Sequence, residues 1–394
     1  MIPLMRFAFH EERKTRAALA RFVLSAPRLS LGEQCAGFER EFAAFQGRRH
    51  AVLFNSGASS NLALLQALRN LRRLRPGDAV GFSALTWSTN VMPILQMGLV
   101  PVPVDCSPST LNAMSQDLRE RLRRVHLKAF FITNALGFAG DLDRIQELCR
   151  RRRVILLEDN CESLGTSLPQ GLAGNFGFAS TFSFYVGHHM STIEGGMVCT
   201  DDPDLGEMLR IVRANGWDRD LPPEAARRWR RRCRVRDEFQ ARYAFYDLGF
   251  NLRPTEITGF LGRRQLRYLR SNILIRERNY LRIEKTLRSN PDFLPLERAH
   301  IRTLSSFCIP VLCRTPKLRR LYLGRFARSG VETRPIIAGN IQRQPFYGKY
   351  VRPRYTLPGT DKIQSCGFYF GNTPELTERE LRTLERCLAG EGRA

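Results

Sequence analysis

Three short segments of this chain carry residue types that can do chemistry together. The first is Asn55-Ser56-Gly57-Ala58-Ser59-Ser60, which follows the apolar run 51–54 and precedes a helical pattern. A strand that turns through small residues into a helix leaves backbone N–H groups free at the helix N-terminus. An anion such as a phosphate suits that place. The same residues also serve as a plain N-cap and turn. The second segment is Glu158-Asp159-Asn160-Cys161-Glu162, directly after Val154-Ile155-Leu156-Leu157. An acidic side chain at the carboxyl end of a strand is placed to face a ligand. If buried it needs a cationic partner; a protonated pyridine nitrogen and an arginine both qualify. The third runs from Ser183 to Met197 and contains His188, His189 and Glu194-Gly195-Gly196. Adjacent histidines cannot share one face of a helix or strand, which argues against a joint metal site. Each is either a structural histidine or an acid–base group working near neutral pH.

To bring these segments together the chain must place the ends of several strands side by side. Apolar runs at 79–82, 100–104, 129–133 and 154–157 read as strands beside 51–54, with helices at 61–71 and 142–152. Strands alternating with helices predict a mostly parallel α/β sheet. From about residue 250 the pattern changes. A long helix is expected over 256–288, with Ile257, Leu261, Leu266, Leu269 and Ile273 on it. A strand at 307–312, a helix at 317–329 and a last helix at 377–388, opened by Thr-Glu-Arg-Glu, complete the pattern. The expected organisation is a large domain over 1–248 and a smaller α+β domain over 249–394.

Composition narrows the function classes. A chain of 394 residues exceeds what one core usually serves. With 43% apolar and 25% charged residues it is globular rather than disordered. Lys+Arg is 62 against 38 for Asp+Glu, a net charge of +24 that favours anionic partners. Nearly all the cations are Arg, and the lysines are Lys14, Lys128, Lys285, Lys317, Lys349 and Lys362. The run 227–236, Arg-Arg-Trp-Arg-Arg-Arg-Cys-Arg-Val-Arg, reads as a solvated face or an anion-binding loop. No zinc-finger, helix-turn-helix or RNP pattern accompanies it, so no nucleic-acid partner is expected. No apolar run approaches the ~18 residues of a membrane span. Ten cysteines without a C-x-x-C pair, and no signal-peptide order at the start, predict free thiols in a cytoplasmic protein.

Taken in order, the segments resemble those of the DegT/DnrJ/EryC1 group of sugar aminotransferases, which are fold-type I enzymes using pyridoxal phosphate. The resemblance runs from about Phe38 to Leu388. It includes Leu85-Thr86-Trp87-Ser88-Thr89, Gly216-Trp217, Gly249-Phe250-Asn251-Leu252-Arg253-Pro254 and Thr333-Arg334-Pro335-Ile336. It implies a three-layer αβα large domain around a mostly parallel mixed sheet, plus the smaller α+β domain. It also implies that Gly57, Ala58 and Ser183 hold the cofactor phosphate, that Trp87 stacks on the ring, and that Asp159 keeps the pyridine nitrogen protonated. Glu162 stands where Gln or His is frequent. Asn251 would reach the cofactor of a neighbouring subunit, making a homodimer with shared sites. Arg219 and Arg334 are candidates for a nucleotide diphosphate, which Arg binds as a bidentate fork.

One departure carries the most information. The family's cofactor-bonding lysine falls six residues before Glu194, where this chain has His188, and no lysine occurs between Lys128 and Lys285. An imidazole cannot form a Schiff base, but it can act as an acid or base. A histidine here resembles the sugar 3-dehydratases of the family. The resemblance then implies a GDP-linked 4-keto-6-deoxy sugar as substrate and L-glutamate as amine donor. Pyridoxal phosphate and pyridoxamine phosphate would be bound without a covalent link. His188 would take a proton from the cofactor's C4′ carbon and help the C3 hydroxyl leave. The products would be a 4-keto-3,6-dideoxy sugar, ammonia and 2-oxoglutarate. Cys308, Cys313 and Cys366 lack the close spacing of an iron–sulfur ligand set, so no cluster is expected. A 4-aminotransferase on the same fold, or a dehydratase acting on another nucleotide-linked 4-keto-6-deoxy sugar, is the competing reading.

Overall fold

The computed structural model describes residues 1–389. Its central sheet has seven strands: β1 His50–Phe54, β2 Ala79–Ser83, β3 Val100–Val104, β4 Ala129–Thr133, β5 Ile155–Asp159, β6 Ala179–Ser183 and β7 Gly196–Thr200. Their order is β1-β7-β6-β5-β4-β2-β3. Strands β2 to β6 pair in parallel, and β7 runs antiparallel to both β1 and β6.

Both faces of this sheet are covered. In β4, Phe130 and Ile132 join one core while Ala129 and Phe131 join another, as the period-two alternation of a strand requires. On one face the helices Gly57–Asn70 and Pro203–Arg213 bury Leu64, Leu68, Leu209 and Val212 against Val52 and Phe54. On the other face lies Leu142–Arg152, where Ile145 and Cys149 are buried. There too Glu33–Gln46 packs Phe38 and Phe42 against Leu53 and Phe182. This is the three-layer arrangement expected, and strands covered on both faces read as near-continuous apolar runs.

A 34-residue helix, Glu256–Ser289, connects the two regions. Thr255 caps it by accepting from the Thr258 N–H. Its buried Leu269 and Ile273 join the core around Phe182, while Tyr280 and Ile283 join the core that runs from Phe130, Ile132 and Ile145 on the sheet into the second region. That region has a small antiparallel sheet of β8 Cys308–Leu312, β9 Thr333–Arg334 and β10 Gly367–Gly371, in the order β8-β10-β9. Helices Pro316–Arg328 and Glu378–Leu388 flank it, the second opened by the expected Thr377/Glu380 capping box. The first residues of the chain also lie here. Ile2 bridges Val331, and the Leu4 N–H donates to the Glu332 carboxylate.

Two strands were not legible. β6 (Ala-Ser-Thr-Phe-Ser) and β7 (Gly-Met-Val-Cys-Thr) are rich in small and polar residues, yet every residue in them is buried. Strand β5 also runs on through Glu158 and Asp159. The arginine run lies mostly on an exposed helix, Pro223–Arg232, where Arg228 pairs with Glu207 and Arg230 with Asp218.

Candidate active site

The ends of β1 and β6 are drawn together by a glycine. Gly196 opens β7 and pairs with Phe54 on one side and Ser183 on the other. A Cβ there would lie 2.3 Å from the Ser56 carbonyl oxygen. The Glu-Gly-Gly motif is therefore a close-packing device. Ser56 caps the helix Gly57–Asn70 by accepting from the Ser59 N–H at 3.1 Å. The first-turn amides of Gly57 and Ala58 have no acceptor within the helix. The Ser183 hydroxyl stands beside them: a Cβ on Gly57 would sit 2.9 Å from it and 2.6 Å from the Ser183 Cβ. This is a cradle that only glycine leaves open. Gly57→Ala is expected to weaken cofactor binding by about tenfold or more while the protein still folds. Absorbance titration beside a thermal melt checks this, and unaltered affinity would place the phosphate elsewhere.

Asp159 ends β5 and is 4% exposed. Its Oδ2 accepts from Asn61 Nδ2 at 3.0 Å and Asn90 Nδ2 at 2.7 Å, and its Oδ1 accepts from the Cys161 N–H at 2.9 Å. All three donors are neutral. Among the described residues no arginine or lysine makes an ion pair with it, so the arginine alternative is not what the fold chose. Asn90 belongs to the short turn Ser88–Asn90 that begins at Trp87, and Trp87 presents a 57% exposed ring.

The two histidines separate cleanly. His189 is buried, and its Nε2 lies 2.8 Å from the Ser305 carbonyl oxygen. Burial pulls its pKa down to about 3, so it is a neutral structural donor. His188 is half-buried, with its ring edge-on to Tyr185 and Phe307 at 6.0 and 5.4 Å. Its Nδ1 is buried without a partner. Burial lowers its pKa to about 4, against the opposing pull of the Asp159 carboxylate. Glu162 accepts from the Leu136 N–H at 3.0 Å, and burial raises its carboxyl to about 7.

Gly57, Ala58, Trp87, Asp159, Glu162, Ser183, His188 and Arg334 all line one cavity of about 640 Å³. None of the residues lining it is a lysine. Arg334 is exposed and tied to Glu332. Arg219 and Asn251 are not among the lining residues. Arg219 is exposed, with its guanidinium 5.2 Å from the centre of the Trp217 ring, and Asn251 is exposed and bridged to Ala214. Sequence reasoning missed Asn272 and Arg276 on the long helix and the segment from Leu4 to His10, which also face the cavity. The available signal was a polar pair, 272 and 276, at helical spacing from the apolar Leu269 and Ile273. Among the described residues no group of three His, Cys, Asp or Glu is placed to hold a metal ion. No helix among them is long and apolar enough to cross a membrane.

An anion cradle at one end and a buried carboxylate lacking a cation at the other fit an aromatic cofactor with a phosphate and a basic ring nitrogen. Fold and site together define the class, the pyridoxal phosphate enzymes of the aminotransferase fold. Within that class the chain belongs to the DegT/DnrJ/EryC1/StrS aminotransferase family, which it matches over residues 10–388. It is 31% identical over 372 residues to GDP-4-keto-6-deoxy-D-mannose 3-dehydratase of Yersinia pseudotuberculosis, covering 93% of both chains. A solved structure of a GDP-4-keto-6-deoxymannose-3-dehydratase variant with bound GDP-perosamine superposes with a TM-score of 0.89 at 28% identity, over 98% of this chain and 100% of that one. A second, of the same enzyme with a trapped PLP-glutamate geminal diamine, gives the same TM-score, identity and coverage.

Proposed function

We propose that this chain is a 3-dehydratase of a nucleotide-linked 4-keto-6-deoxyhexose, with GDP-4-keto-6-deoxymannose as substrate and L-glutamate as amine donor. The observation that carries this reading is His188 in the cavity at the place of the family's lysine, with no lysine among the lining residues. The names of the similar proteins point the same way.

The cofactor, as pyridoxamine phosphate held without a covalent link, supplies an amine and an electron sink when bound. Gly57, Ala58 and Ser183 bind its phosphate, Asp159 holds the proton on its ring nitrogen, and Trp87 covers the ring. His188 is kept neutral by burial at ordinary pH, so its imidazole can accept a proton at the cofactor's C4′ carbon. The same imidazole then delivers a proton to the departing C3 oxygen of the sugar. Glu162 adds a carboxyl to the same cavity. Arg334 binds the diphosphate.

Arg219 lies over the Trp217 ring, which packs against the exposed Tyr243 and Phe245, and Phe239 and Leu248 are exposed as well. That surface suits a homodimer in which each subunit supplies Arg219 and Asn251 to its partner's cavity. The reading places the enzyme in the cytoplasm and calls for no iron–sulfur cluster, nucleic acid or membrane.

The test incubates the protein with pyridoxal phosphate, glutamate and GDP-4-keto-6-deoxymannose, followed by the mass of the sugar product and free ammonia. A product lacking one oxygen, with ammonia released, is expected. An amino sugar would make this chain a transaminase and overturn the role of His188.

A further inference from the structure

The first residues of the chain have no task in the reading above, yet every residue from Leu4 to His10 except Arg6 lines the cavity. Both ends of this stretch are fastened. The Ile2 N–H donates to the Gly330 carbonyl oxygen at 2.8 Å, and the Ile2 carbonyl oxygen accepts from the Glu332 N–H at 2.9 Å. The Leu4 N–H donates to the Glu332 carboxylate at 3.0 Å. The Leu4 backbone also packs on β10, where a Cβ at Gly371 would lie 2.6 Å from the Leu4 carbonyl oxygen. At the other end the Phe9 N–H donates to the Glu12 carboxylate at 2.8 Å, and the His10 N–H donates to Gln265 of the long helix at 2.9 Å. Between them the Arg6 guanidinium is tied to the Glu380 carboxylate and the Glu375 carbonyl oxygen. Residues 4–10 are thus a strap that runs from the small sheet to the long helix along one wall of the cavity.

The strap is mostly apolar. Its Phe9 is 6% exposed and is part of the protein's own packing, whereas Phe7 is 48% exposed. An exposed apolar side chain is ordinary in itself. Phe7 differs because hydrogen bonds hold the chain on both sides of it, and because Leu4, Met5 and Ala8 share its wall.

The ligands of the proposed reaction differ in what they offer such a wall. Trp87 covers the cofactor ring, and the amino donor and the diphosphate are ionic. The nucleobase lies a ribose and two phosphates beyond the hexose. The hexose has one apolar end, the C6 methyl that stands where an ordinary hexose carries a hydroxymethyl group. An apolar wall stabilises that methyl and leaves a hydroxyl in its place without a hydrogen-bond partner. We propose that the strap is the wall against which the C6 methyl lies, and that Phe7 is the residue that selects a 6-deoxyhexose over a 6-hydroxyhexose. This rests on the function proposed above.

The test is calorimetric titration of the pyridoxamine phosphate-loaded full chain with GDP-6-deoxymannose, GDP-mannose and GDP, for wild type, Phe7→Ala and Phe7→Leu. Wild type is expected to bind GDP-6-deoxymannose about tenfold or more tighter than GDP-mannose, the discrimination open to an apolar pocket. Phe7→Ala should cut that preference to about threefold or less by weakening the deoxy ligand, and Phe7→Leu should restore most of it, since a second apolar side chain fills the same place. GDP alone should bind all three proteins alike. In turnover of GDP-4-keto-6-deoxymannose, Phe7→Ala should raise KM more than it lowers kcat, as for lost ground-state binding. An unaltered preference in Phe7→Ala would overturn the assignment, as would a wild type that binds both sugars alike. A parallel loss of GDP binding would give the ring to the nucleobase and overturn it too. Failure of wild type to dehydrate GDP-4-keto-6-deoxymannose would instead sink the proposed function.

Discussion

Asp159→Asn is expected to leave a folded protein that no longer retains its cofactor, with affinity down by about 10²- to 10³-fold. The carboxylate is buried and accepts only from Asn61, Asn90 and the Cys161 amide. Among the described residues no cation pairs with it, and a protonated ring nitrogen is the natural one. Removing one member of a buried ion pair costs about 3–5 kcal/mol, and each 1.4 kcal/mol is tenfold in affinity. The amide keeps the shape, and its oxygen can still accept from Asn61 and Asn90, so the fold should survive. Cofactor retention after dialysis, read from absorbance, checks the first part, and a melt of the cofactor-free protein checks the second. Wild-type retention would mean that Asp159 does not face the ring nitrogen.

The second large effect concerns His188. His188→Lys should trap the cofactor covalently, visible as a mass increment after borohydride reduction, and should lose sugar dehydration by about 10²- to 10⁴-fold, the usual contribution of a positioned acid–base group. His188→Asn should lose dehydration to a similar extent without the covalent link. Continued dehydration by the lysine variant would show that another group is the base. The pH profile adds an independent reading. Burial lowers the imidazole pKa from 6.5 to about 4. A lowered pKa means that the neutral, proton-accepting form persists down to that value. Activity should therefore hold through pH 6 and fall with an acid limb near 4 rather than near 6.5, as measured by kcat/KM against pH.

Much of this site was legible because parallel α/β sheets put chemistry at strand ends, and strand ends are marked in the chain by where apolar runs stop. Ser56-Gly57-Ala58 after β1, Glu158-Asp159 at the end of β5 and His188 past Ser183 are local patterns of that kind. The replacement of lysine by histidine is a matter of residue identity alone. The long helix Glu256–Ser289 and the Thr377 cap were equally legible, since periodicity and capping are set by residues a few positions apart. The polar strands β6 and β7 escaped, because their burial is imposed by neighbours on both sides rather than by their own apolar content.

What the sequence by itself determined, then, is the set of reactive residue types and the elements that carry them. What only the tertiary structure decided is which of those residues share a cavity. His188 faces it while His189 is spent on the Ser305 carbonyl oxygen. Asp159 is left with neutral donors, and the Arg276 guanidinium donates to the backbone carbonyl oxygens of Phe307 and Asn372. Arg219 and Asn251 lie outside it. The physical reason is that burial and the pairing of charges are fixed by contacts between residues distant in the chain, as where Ser305 meets His189 or Phe307 meets Arg276. Nothing in a local pattern records which distant group arrives to satisfy a buried polar atom, or that none does.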